Sequence, residues 1–120
     1  MPSPEQVVQA QLDAYNARDL DALLACYAAD ACMYAYPATL VAQGHAAIRE
    51  RMRLRFAEPD LHAELRRRVV LGEVVIDDEI VTRNFPEGRG TQAMTMIYRV
   101  ADGRIIDASV IAGTPVLDER

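Results

Sequence analysis

The hydrophobic residues of this chain change their spacing at Pro59, and that change limits the folds open to it. Before Pro59 apolar side chains recur every three to four residues, as on one side of a helix. After it they alternate, as on one face of a strand. Helices first and strands afterwards give an α+β layer, with the helical stripes buried on one face of an antiparallel sheet. At 120 residues there is material for one core, so residues 1–120 are expected to form a single domain.

Local signals divide each half. Ser3-Pro4-Glu5 supplies a capping hydroxyl, a proline at the first helical position and an acid in the first turn. Val8, Leu12 and Tyr15 follow at helical spacing, with Gln11 inside the same stripe. Asn16-Ala17-Arg18 reads as a tight link to a second helix, capped by Asp19 and burying Leu20, Leu23, Leu24 and Tyr27. Residues 31–36 read as a short strand ended by Pro37, and Gly44 opens a third helix with Ile48 and Met52 inward.

Beyond Pro59, Leu61, Ala63 and Leu65 alternate with His62, Glu64 and Arg66. Turns at Gly72-Glu73, 86–90 and Asp102-Gly103 then separate strands expected over 74–84, 91–100 and 104–112.

The residue inventory removes much of the usual catalytic repertoire. All 13 basic residues are arginine, which excludes Schiff-base chemistry on a lysine and a Gly-Lys-Ser/Thr phosphate loop. His45 and His62 are the two histidines, and no zinc-ligand spacing, Gly-x-Ser-x-Gly or Gly-x-Gly-x-x-Gly occurs. No metal site and no cofactor are expected. A net charge of −5 opposes nucleic-acid binding, and the arginine clusters at 49–55 and 66–68 read as solvated faces paired with carboxylates. No apolar run approaches a membrane span, the first residues lack the order of a signal peptide, and Cys26 and Cys32 read as small buried hydrophobes; a cytoplasmic protein is the expectation.

Strand parity nominates the pocket. In the second long strand the set Val74, Ile76, Asp78, Ile80, Thr82 and Asn84 carries less charge than its alternate, so it is expected to face the helices. Asp78 then stands among apolar neighbours, where desolvation raises a carboxyl pKa and suits it to acid–base catalysis. The competing reading is a solvated run, Asp77-Asp78-Glu79.

Met94, Met96 and Tyr98 share one face of the next strand, as do Ile106, Ala108, Val110 and Ala112 of the last, leaving Asp107 outside. Gln11 is either a donor to a ligand carbonyl or an amide that satisfies a strand end. Gln11, Tyr15, Tyr36, Met52, Ile80, Met94, Met96, Tyr98 and Val110 are the expected lining for a small apolar or aromatic ligand. His62 is expected to point outward, and His45 sits at a helix start that disfavours a catalytic cation. Ile97, Ile105 and Ile111 are assigned to the outer face, where such an apolar surface implies a homodimer.

The stretches Asn16-Ala17-Arg18-Asp19-Leu20-Asp21, Tyr27-Ala28-Ala29-Asp30-Ala31 and Gly44-His45-Ala46-Ala47-Ile48-Arg49-Glu50, with the Asp102-Gly103-Arg104-Ile105 hairpin, resemble the nuclear-transport-factor-2-like superfamily. Within it the chain is most similar to the SnoaL-like and steroid Δ-isomerase-like group. The resemblance implies a cone-shaped, cystatin-like roll: three helices over a strongly curved sheet that encloses a pocket. It gives the second strand the same parity.

The resemblance also locates the isomerases' three catalytic positions. They fall on Gln11, on Met96, and on Ala35 or Tyr36, none of which reproduces that proton relay. No Arg-x-Asp pair of the limonene-epoxide-hydrolase kind occurs. The expected function is therefore binding of a small hydrophobic molecule, or cofactor-free isomerase, cyclase or dehydratase chemistry with Asp78 as proton carrier, and not standard ketosteroid isomerisation.

Overall fold

In the computed structural model, which describes residues 1–119, three helices lie against one curled sheet. The elements are α1 (Pro4–Ala17), α2 (Leu20–Ala25), β1 (Tyr27–Ala35), β2 (Thr39–Gln43), α3 (Gly44–Phe56), β3 (His62–Leu71), β4 (Val74–Phe85), β5 (Gly88–Ala101), β6 (Arg104–Ala112) and β7 (Val116–Leu117).

The first helix begins as its sequence demands. Ser3 Oγ accepts from the Gln6 amide at 3.2 Å, and Gln6 Oε1 accepts from the Ser3 amide at 2.9 Å, a reciprocal capping box. Arg18, in the left-handed conformation, ends it, and Asp19 caps α2 through the Ala22 amide at 3.1 Å. Helix α2 stops at Ala25, earlier than its stripe implied. Tyr27 is buried at the start of β1 rather than on the helix.

Two polar clamps fix α1 above the sheet. The Asn16 side chain donates to the Ala63 carbonyl (2.9 Å) and accepts from the Ala63 amide (2.8 Å), acting as a short extra rung on β3. Arg18 donates to the carbonyls of Glu58 (2.8 Å) and Pro59 (2.9 Å), where the chain enters β3.

The strand order is β2-β1-β6-β5-β4-β3, with β7 paired to the far end of β5. The meander β3 to β6 is antiparallel as expected, but β1 joins β6 in parallel, so the sheet is mixed. Strand β2, which returns antiparallel on β1, and β7 carry no clear sequence signal: both are short and mostly exposed, with little apolar periodicity to announce them.

Two bulges redistribute side chains between the faces, because one extra residue reverses the alternation beyond it. In β3 the register shifts between Leu65 and Arg67, which brings Arg68 opposite Asp77 and turns it inward. In β6 the register passes from Asp107 to Ile105, leaving Ile106 as the extra residue. Ile105, assigned to the outer face from strict alternation, is instead fully buried against Tyr27 and Val100 in the core, while Ile97 stays half-buried and Ile111 exposed. No helix of the described residues is long and apolar enough to cross a membrane.

Candidate functional site

The curl of the sheet, with α1 and α3, bounds a cavity of about 240 Å³. Gln11, Leu12 and Tyr15 reach it from α1, Met52 from α3, Met94, Met96 and Tyr98 from β5, and Val110 from β6. The sequence-nominated Gln11, Tyr15, Met52, Met94, Met96, Tyr98 and Val110 thus converge on one space. Met33 and Tyr34 of β1 and Val41 of β2 add to the apolar wall, with Ala63, Val81 and Ala108 among its other members.

Three nominated residues do not belong to that wall. Tyr36 is 58% exposed beyond the end of β1, where its amide is held by the Val110 carbonyl. Asp78 and Ile80 lie on the opposite face of β4: the buried positions are Val75, Asp77, Glu79 and Val81, and these stand opposite Tyr98, Met96, Met94 and Gln92 of β5. Asp78 instead stands opposite Thr95 and accepts its hydroxyl at 2.8 Å.

The structure thus reverses the parity that charge and the family resemblance both imply; the charge argument puts the more charged set outside on the premise that acids avoid burial. That premise lapses when a distant residue neutralises the charge. Arg68 donates to both oxygens of Asp77, at 2.7 and 2.9 Å, and to Gln9 at 2.8 Å, so Asp77 is fully buried as half of an ion pair. The bulge in β3 that makes this possible has no local mark in the sequence.

Glu79 is the consequence. It projects into the cavity two residues from Asp77, 7% exposed, with no hydrogen-bond or ion-pair partner among the described residues. Burial and then the neighbouring Asp77 carboxylate push its pKa up to about 7, against a smaller opposing pull from Arg68. An unpaired carboxyl in that state exchanges a proton at neutral pH as acid or base. Alternation alone does nominate Glu79, through the set that was set aside.

The hydroxyls and amide around it are directional. Tyr98 Oη donates to Gln11 Oε1 at 3.2 Å, which leaves the Gln11 amide nitrogen to point a donor at a ligand. Tyr15 Oη accepts a long bond from Arg55 at 3.5 Å and so keeps its own proton for donation. Its ring is held edge-on to Phe56, with centroids 5.6 Å apart. Burial raises the pKa of Tyr15, Tyr27 and Tyr98 alike, so all three are neutral phenols.

The remaining nominated side chains take bystander positions. His62 is exposed, and His45 holds the Tyr27 carbonyl through Nε2 at 2.8 Å. Cys26 and Cys32 are half-buried free thiols. Asp107 faces outward on Arg99, at 3.0 Å. Among the described residues no group of three or more His, Cys, Asp or Glu side chains is arranged to hold a metal ion.

Comparison with known proteins places this architecture. The family model of the SnoaL-like domain matches residues 8–108. An uncharacterized cystatin-fold protein from Novosphingobium aromaticivorans is similar at 26% identity and a TM-score of 0.85, over 92% of this chain and 99% of its own. A candidate polyketide cyclase from Sinorhizobium meliloti is similar at 26% identity and 0.74, over 92% and 95%. IdmH from Streptomyces antibioticus, also a candidate polyketide cyclase, shares the fold at 21% identity and 0.79, over 92% of each chain. No curated protein sequence matches significantly.

Proposed function

The chain belongs to the SnoaL-like domain family, and from that premise we propose that it binds a small, largely apolar carbonyl compound in the cone and transfers a proton on it, with Glu79 as the proton carrier. One observation carries the reading: Glu79 is an unpartnered carboxyl, more than nine-tenths buried, that lines a cavity whose wall around it is mainly apolar. Burying such a group without a partner costs stability, and a cost retained in a cavity wall marks a group used for proton exchange.

The chemistry follows from the three groups in the wall. Glu79 removes a proton from carbon next to the carbonyl. The negative charge that develops on the carbonyl oxygen is met by the Gln11 amide and the Tyr15 hydroxyl, in a site whose apolar wall strengthens both bonds. Glu79 returns the proton to another carbon for an isomerisation; for a cyclisation the enolate carbon attacks a second carbonyl of the same ligand, whose C=O π pair becomes an alkoxide that takes the proton back from Glu79. The Sinorhizobium meliloti relative, a candidate polyketide cyclase, supports the second outcome.

A non-catalytic ligand carrier is the second reading. It is favoured by Met96, a thioether at a position where the steroid isomerases of the group place an acid. Separately, the half-buried Ile76 and Ile97 and the exposed Ile111 on the outer sheet face support a homodimer, which sedimentation would establish.

Hydrogen–deuterium exchange at the α-carbon of 2-tetralone, followed by NMR in D₂O, separates the two main readings. Catalysis predicts acceleration by the protein, a pH limb near the Glu79 value of about 7, and loss of about a hundredfold or more in Glu79→Gln. No acceleration by the native protein, or an equal rate in the variant, would leave only the carrier.

A further inference from the structure

The wall of the cone is not apolar all round. Arg51 and Arg55, one turn apart on α3, and Arg83 on β4 line the cavity on one side. The same three, with Ala47, Glu50, Leu54 and Glu58, line a second hollow on the outer surface. The arginines therefore form the partition between the cone and the solvent.

Their charges do not balance. Glu58 accepts from Arg83 at 3.0 and 2.7 Å and sits 3.7 Å from Arg55 Nε. Glu50 is committed to Arg53, through Nε at 3.0 Å. Arg51 is left half-buried with no acidic partner among the described residues. Burial, Arg55 and Arg83 all weaken its hold on its proton, the signature of a cation short of a counterion.

We propose that this partition is an anion subsite and that the ligand of the cone is an amphipathic acid, its carboxylate held by Arg51 beside Arg55 and its apolar body lying against Met52, Met94 and Met96. The inference rests on the reading of the cone as a ligand site and adds the class of molecule. A guanidinium presents a planar fork that matches a carboxylate, and a desolvated one gains most from such a partner. Tyr15 spans the two ends: its hydroxyl lies within electrostatic reach of Arg55 and Arg83 and also of Glu79. An acid anchored at the partition thus lays its body past Tyr15 towards the proton carrier.

The test uses two isosteric probes that differ in charge, 2-naphthoate and 2-naphthamide, titrated into the native protein with binding located by NMR shifts of the cavity methionines. The acid should bind about tenfold tighter or more, with an affinity that falls as sodium chloride is raised, while the amide's does not change. Arg51→Gln should bring the acid to within about threefold of the amide and leave the amide unaffected. Its fold is checked by circular dichroism, and the salt titration needs no variant. Equal affinities in the native protein, or a preference that survives Arg51→Gln, would overturn the anion subsite and leave Glu79 untouched. Absence of methionine shifts with both probes would overturn the ligand cone itself, and the subsite with it.

Discussion

The phenol of Tyr98 on β5 donates to the side-chain amide of Gln11 on α1 across 3.2 Å, joining lid to sheet between residues 87 positions apart. Both side chains are buried, at 2% and 6% exposure. Gln11→Leu strands the Tyr98 hydroxyl in the core and is expected to cost about 1–3 kcal/mol, whereas Tyr98→Phe costs about 1 kcal/mol because the amide still faces the cavity. The double variant should recover about 1 kcal/mol relative to the sum, read from urea midpoints in a double-mutant cycle. Additive costs would mean the bond contributes nothing.

Glu79 makes stability depend on pH in the direction opposite to most carboxylates. Its folded-state pKa, about 7, stands above the ordinary carboxyl value, so between the two the folded chain holds the proton more tightly than the unfolded one. Stability is then lost as pH rises through that window and is flat above it. Ionising Glu79 in place costs on the order of 3 kcal/mol at most. Glu58, held below the ordinary carboxylate range by Arg83 and the Asn84 amide despite its burial, loses its contribution only at lower pH. The thermal midpoint is expected to fall from pH 5 to 8 in the native protein. Glu79→Gln should remove that fall and leave the variant the more stable of the two at pH 8; a parallel decline in both would reject the assignment.

The fold and most of the cavity were legible because they depend on spacing along the chain. The Ser3 cap, the α1 stripe with Gln11 and Tyr15, and the Met94, Met96 and Tyr98 alternation each follow from short-range geometry. What escaped depends on long-range pairing. Arg68 reads as one of three arginines in a solvated cluster paired with carboxylates until a bulge carries it to Asp77, and Arg51 and Arg55 read as a solvated helix face until β4 brings Arg83 beside them. The face of β4 was decided by charge, and the charge had been neutralised from another strand.

The Arg68–Asp77 pair is the support for that neutralisation, and it is nearly dry, with side chains 10% and 1% exposed. Arg68→Met leaves an uncompensated carboxylate in the core and is expected to cost about 3–5 kcal/mol. Adding Asp77→Asn should restore much of the loss, since the buried charge is then gone. Arg68 also holds the Glu79 pKa down, so its removal should move the Glu79 titration above about 7 by carboxyl NMR. A mild cost for Arg68→Met alone would show that Asp77 reaches water.

Adjacent acids on opposite faces of one strand make the sharpest test of where the chemistry lies. Asp78 and Glu79 differ by one position, yet Asp78 is half-buried on the outer face with Thr95 as donor, while Glu79 sees the cavity. Asp78→Asn keeps an acceptor for the Thr95 hydroxyl, so both stability and α-carbon exchange should change by less than about twofold. Glu79→Gln preserves shape but cannot accept and return a proton, so exchange should fall by about a hundredfold or more with binding of the neutral naphthamide unchanged. Measuring rate and affinity on both variants separates proton transfer from packing: a rate loss confined to Asp78→Asn would reverse the assignment of faces, and equal losses in both would mean that the strand's overall charge, rather than one carboxyl, governs the reaction.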